Sequence, residues 1–188
     1  GQILGAFIIF GDDFILLWAG EGFHESYLIA LIIMIPYTID IIQNLGLTIL
    51  QVEDKYYFRG VMYLLIAILN IVATIALVQC CGIVGAAVST AVATILGNGL
   101  LMNWYYAKRV NIDIKFFWSE VCKLLVSMTF VTALVYCCWH LLGWSPSWCS
   151  ILLAGVLYCI CQFAVLWIVG FNDYEKGLIT SILKLPVA

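Results

Sequence analysis

Six apolar runs dominate this chain, at about residues 1–19, 25–51, 57–79, 83–108, 116–142 and 147–170. Each is close to the roughly 20 residues a helix needs to cross the ~30 Å hydrocarbon core of a bilayer. In lipid, backbone N–H and C=O groups find no water, so only helices or closed barrels span. The period-two alternation and aromatic girdles of a barrel are missing, and the continuous Leu, Ile, Val and Ala runs predict helices. Composition points the same way. The 188 residues are 65% hydrophobic and 10% charged, with a mean hydropathy of +1.10, whereas soluble domains carry about 25% charged residues. A soluble fold of this length has no interior large enough for so much apolar surface. The expectation is an all-α, polytopic membrane protein with six transmembrane helices.

The basic residues orient it. All 8 lie in three places: Lys55 and Arg59 between the second and third runs, Lys108, Arg109, Lys115 and Lys123 around the fourth connection, and Lys176 and Lys184 after the sixth run. The connections GEGFHES, QCCG and GWSPSW contain none. Six spans put the three basic regions on one side, which the positive-inside rule makes cytoplasmic, together with both ends of the chain. Trp104, Tyr105, Tyr106, Phe116, Phe117 and Trp118 are expected at the inner interface, Trp144 and Trp148 at the outer one. The tail YEKGLITSILKL predicts a short helix on the inner surface. A net charge of −3 offers no footprint for nucleic acid. The first run starts at Gly1 without an initiator Met or a basic leader, and reads as an internal span of a longer chain rather than a signal peptide.

Only QCCG separates the third and fourth runs, which predicts a tight antiparallel hairpin. The stretch CCGIVGAAVSTAVATILGNGL follows, and its Ala86, Thr90, Ala93 and Gly97 recur at helical spacing. Such a stripe lets two backbones approach closely, and its expected use is packing against the third span. The cysteines form no C-x2-C pair of pairs, so they predict no metal site. They read as small apolar side chains, with a disulfide between the Cys80–Cys81 pair and Cys149 as the alternative.

Polar residues inside the spans carry the functional information. In IPYTIDIIQNLGLTILQ, Tyr37, Asp40, Gln43 or Asn44, Thr48 and Gln51 make a polar stripe on one helix face. Asp40 falls about 16 Å from Gln51 along the axis, near the middle of the bilayer core. A carboxylate there costs about 2.5–3.5 kcal/mol to insert, so it is expected to face other helices or water. Pro36, one turn away, withholds a backbone donor and predicts a kink. Asp40 thus reads as a cation or proton site, or as the lining of a polar pathway; the structural alternative is an acid held by a neighbour such as Asn70. Tyr37, Gln43, Asn44 and Asn70 are the accompanying pathway residues. Asn70, Asn98 and Asn103 also read as groups that hydrogen-bond between helices. Asp12 and Asp13 in FGDDFILLWAG predict a helix break at Gly11 that opens onto water.

Enzyme chemistry finds little footing. His24 and His140 have no partner motif, no phosphate-binding glycine loop follows a strand, and the outer loops are too short for a soluble active site. Neither a cofactor nor a metal is predicted.

Taken together, FGDDFILLWAG, IPYTIDIIQNLGLTILQVEDKYYFRG, LIAILNI, GIVGAAVSTAVA and MNWYYAKRVNIDI resemble, in order and spacing, the C-terminal half of Wzx-type polysaccharide flippases. These belong to the multidrug/oligosaccharidyl-lipid/polysaccharide exporter superfamily. The resemblance covers about residues 1–118; the last two runs match only in length and hydrophobicity. It implies a partial C-terminal lobe of a two-lobe, MATE-like transporter. Residues 1–118 would supply four helices of that lobe, 119–170 a terminal helix pair and 171–188 a cytoplasmic tail. It further implies alternating-access translocation of undecaprenyl-pyrophosphate-linked oligosaccharides across the bacterial inner membrane for cell-surface polysaccharide. The implied partners are membrane lipids, H+ or Na+, and polysaccharide assembly proteins. Lys55 and Arg59 are placed to attract the pyrophosphate headgroup, or simply follow the positive-inside rule. The alternatives are a cation-coupled drug exporter of the same superfamily, a membrane-embedded glycan polymerase or acyltransferase, and a purely structural membrane protein.

Overall fold

The computed structural model describes residues 1–43, 57–109, 113–143, 145–172 and 176–177. Among the described residues there is no strand. Helix α1 is Gln2–Ala19; after Gly20 a 3-10 turn, Glu21–Phe23, leads into α2, His24–Ile42. Helix α3, Tyr57–Thr94, runs into a π-helical segment, Ile95–Met102, and on into α4, Asn103–Arg109. Helix α5 is Ile114–Leu142, and α6, Trp148–Val165, ends in a second π-helical segment, Leu166–Gly170.

Among the described residues, five helical stretches are long and apolar enough to cross a membrane, where six runs were expected: Gln2–Ala19, Glu21–Ile42, Tyr57–Lys108, Ile114–Leu142 and Trp148–Gly170. The difference lies in the third. The runs at 57–79 and 83–108 form two helical limbs that meet at Gly82 with no loop between them. Gly82 takes φ 59 and ψ −143, values outside any helix. There the chain doubles back, because Gly97 lies against Ile66, Gly85 against Leu77, and Asn70 within 3.4 Å of Thr90. A residue bearing a Cβ loses roughly 1–2 kcal/mol in the left-handed region and glycine does not. One residue therefore replaces a loop.

Small residues of the returning limb are buried, and Gly85, Ser89 and Gly97 sit where the limbs touch. Gly85, Ala87, Ser89, Ala91 and Gly97 are all buried. A polar ladder zips the same seam: Ser89 donates to Asn70 Oδ1 (3.0 Å), the Thr74 and Ser89 hydroxyls are hydrogen-bonded to each other (2.5 Å), and Asn70 reaches Thr90. Away from the seam the hairpin is apolar and open, with Leu64, Leu69, Val72 and Ile75 each 60% exposed or more. That surface suits lipid rather than water. The two glycines differ in what a methyl group would meet. At Gly85 it would strike the backbone carbonyl of Leu77, at Gly97 only the tip of Ile66. Gly85→Ala is therefore expected to destabilise the hairpin by about 1–3 kcal/mol, the usual cost of overpacking, and Gly97→Ala by less. Thermal denaturation of both variants checks the order; equal losses would mean the limbs slide freely.

Residues 1–18 and 118 onward form one compact unit, and residues 19–117 the other. In the first, Ile9, Phe10, Val131, Trp139, Ala154 and Tyr158 make the core, and the Phe10 and Trp139 rings meet edge to face at 5.0 Å. Helix α1 runs unbroken through a buried Gly11, so the helix break expected there does not occur. The carboxylate of Asp13 is met instead by the Trp139 indole N–H at 2.8 Å. One good donor satisfies a carboxylate without unwinding the backbone. Fully buried Tyr158 is the hub of a polar knot: its hydroxyl pairs with Thr132 (3.0 Å) and accepts from Gln162 (3.0 Å). Gly5 leaves room for that hydroxyl, which a side chain at this position would overlap. All eight cysteines are free and exposed, so the Cys80–Cys81 to Cys149 disulfide is not formed.

In the second unit, α2 packs against the hairpin and continues through Pro36, which is buried inside it. Beyond the hairpin's open end, Asp113 caps the start of α5, accepting from the amides of Lys115 and Phe116 at 3.1 Å. Phe58 and Tyr105 stack there at 4.0 Å, next to buried Met102 and Tyr106. The expected tail helix falls largely outside the described residues.

Candidate functional site

The last turns of α2 place Tyr37, Asp40 and Gln43 at three-residue spacing, hence on one face. Opposite them, the first turns of α3 supply Arg59 and Tyr63, again one helical turn apart. The π-helical segment supplies Asn98, and α4 supplies Asn103 and Tyr106. No pair from different helices is near in sequence; the fold-back at Gly82 brings them together.

Asp40 is the centre. Its Oδ1 accepts from Asn98 Nδ2 at 2.8 Å and from the Tyr63 hydroxyl at 3.0 Å, and Arg59 Nη2 stands 3.6 Å away. Arg59 gives its hydrogen bonds elsewhere: Nη2 to the Tyr63 hydroxyl at 2.7 Å and Nη1 to the Tyr106 hydroxyl at 3.3 Å. Its guanidinium also lies over the Tyr63 ring, 5.1 Å from the centroid. Tyr63 thus accepts from Arg59 and donates to Asp40, linking the charges through one hydroxyl. A direct charge-assisted bond runs about 2.7–2.9 Å, so the ion pair itself is a loose one. The Arg59 side chain is 9% exposed and that of Asp40 26%. A guanidinium so enclosed needs its counter-charge, and the pair leaves the cluster neutral.

The three contacts converge on one oxygen. Asp40 Oδ2 takes no hydrogen bond from the described residues, and Asn98 Oδ1 is buried without any donor. Both residues line a cavity of about 180 Å³, together with Tyr37, Tyr63, Asn70 and Thr90. A pocket that size holds several waters. A carboxylate lining a small polar cavity is suited to a proton, a cation or a hydroxyl donor.

Behind this lies a second set of bonds. Gln43, only 2% exposed, donates through Nε2 to the backbone carbonyl of Asn98 at 2.7 Å and to Asn103 Oδ1 at 3.1 Å. Asn103 Nδ2 in turn donates to the carbonyl of Gly99 at 2.6 Å.

The candidates from sequence distribute as follows. Tyr37, Asp40 and Asn70 line the cavity, Arg59 is paired with Asp40, and Gln43 sits behind Asn98 rather than on the cavity wall. Asn44, Thr48, Gln51 and Lys55 lie outside the described residues. The partners of Asp40 are Asn98 and Tyr63, not Asn70, which is engaged by Thr90 and Ser89. Tyr63 was not singled out in the sequence, and Tyr106 was expected only as an interfacial aromatic. The turn-spaced Arg59 and Tyr63 were the one available signal; nothing local ties Tyr106 to a residue 47 positions away. Nor does Asp40 sit level with the hairpin's middle: its partner Tyr63 stands only about 9 Å along α3 from Tyr57.

Comparison with protein-family models, with curated proteins and with solved structures found no match.

Proposed function

We propose that this chain is part of a membrane transporter that moves lipid-linked oligosaccharide repeat units across a bacterial inner membrane for surface polysaccharide. On this reading six passes cross the bilayer, the hairpin at Gly82 counting as two, with the basic connections and the C-terminus cytoplasmic. The observation that carries it is the neutral Asp40–Arg59 cluster beside a small polar cavity, within helices otherwise apolar on their outer faces. Ionisable groups within membrane-spanning helices cost insertion energy and mark ion or substrate paths. Asp40 is the coupling carboxylate, with H+ or Na+ as its ion. Arg59 is its counter-charge and the point where an anionic headgroup is drawn in. The glycan substrate rests on the resemblance of the quoted segments to Wzx-type flippases, whose order and spacing they share.

The test is deletion of the full-length gene in its native host. The expected result is loss of surface polysaccharide with lipid-linked repeat units accumulating in the inner leaflet. Normal polysaccharide with heightened sensitivity to organic dyes would replace the glycan substrate by drugs and leave Asp40 as the coupling site.

A further inference from the structure

A π-helix is wider than an α-helix and holds one extra residue per turn, so its carbonyls are less well paired along the axis. Such segments are short and tend to occur at functional sites. Ile95–Met102 is one, and it contains Asn98, which meets Asp40. Two successive carbonyls inside this segment receive side-chain donors. Gln43 supplies the one at Asn98 and Asn103 the one at Gly99, and Gln43 also holds Asn103 Oδ1. All three contacts are within 3.1 Å, and Gln43 is buried with its amide nitrogen spent on them.

We infer that Gln43 is a positioning residue, which with Asn103 holds the π register of 95–102 so that Asn98 presents its amide N–H to Asp40. Relaxing the segment to α-helical register removes one residue's worth of winding, turning what lies beyond by about 100° relative to what precedes it. Asn98 would then no longer face Asp40. Gln43 therefore acts on Asp40 only through Asn98, although it is one turn from Asp40 on the same helix. The functional arm of this inference rests on the transport reading above.

Gln43→Leu keeps the volume and removes the donor. In the full-length protein, hydrogen exchange by mass spectrometry is expected to show the amides of residues 98–104 exchanging about tenfold faster, as local opening becomes easier. Asn103→Ala, which spares the bond from Gln43 to Asn98, should give an intermediate acceleration. Glycan export per folded protein should fall about 5- to 150-fold in Gln43→Leu, the span of ordinary coupling between sites. Combining Gln43→Leu with Asn98→Ala should cost no more than Asn98→Ala alone, because residues acting through one contact are not additive. A merely structural Gln43 would give losses that multiply. Multiplying losses, or unchanged exchange at 98–104, overturn the inference. Export indifferent to both Asp40→Asn and Asn98→Ala overturns the transport reading instead, and the exchange measurement still judges the hold of Gln43 on the π turn.

Discussion

Arg59→Met is expected to destabilise the folded protein by about 3 kcal/mol, and adding Asp40→Asn should recover most of that loss. Removing one partner of a buried ion pair typically costs 3–5 kcal/mol, because the other charge is left without compensation. The lower end applies here, since the Asp40 side chain is 26% exposed and lines the cavity. Methionine fills the space of the arginine stem, so the loss reports charge and hydrogen bonds rather than a void. Tyr63 and Tyr106 each lose a donor as well. In the double variant no charge remains, while an asparagine at position 40 still accepts from the Tyr63 hydroxyl and from Asn98. The coupling is read by a double-mutant cycle on unfolding of the full-length protein in micelles. Additive losses would show that the 3.6 Å pair is an accident of proximity.

The second large effect is functional. Asp40→Asn is expected to lower glycan export about 5- to 150-fold, the range of a 1–3 kcal/mol coupling energy. Stability confounds the single variant, because Arg59 loses its counter-charge. The Asp40→Asn/Arg59→Met variant separates the two effects: it should fold and still fail to export. Export is normalised to folded protein in the membrane. Full export by that variant would make the cluster a helix clamp, and the carboxylate would have no part in coupling.

Much of this was legible in the sequence, residue by residue. The apolar runs announced helices through their length, and QCCG announced a hairpin because no other reading connects two such runs in so few residues. What the sequence left open was how the two runs join. Gly82 reverses the chain by a single left-handed residue, and no loop interrupts the helical stretch. At Gly11, two adjacent acids implied a helix break. The distant indole of Trp139 made the break unnecessary, and a donor 126 residues away leaves no local trace. The site was half legible. Asp40 stood out by the cost of its burial, and Tyr37 and Asn70 did reach the same cavity. Gln43 was grouped with them by helical spacing, yet spacing specifies a face and not a depth, and the side chain ends behind Asn98.

By itself the sequence determined the apolar character of the helices and the secondary structure, since both follow from hydropathy and period over a local window. It also determined that Asp40 needs a partner, because the cost of an unpaired carboxylate in an apolar helix is independent of the fold. Only the tertiary structure decided which partner. The fold-back at Gly82 brings Arg59 to Tyr106 and Asp40 to Asn98. The π-helical winding of 95–102 then decides which side of the returning limb Asn98 occupies. Both are rotations of one helix against another. A single residue of register moves a side chain by about 100°, so a site assembled across helices is set by their packing and not by local pattern.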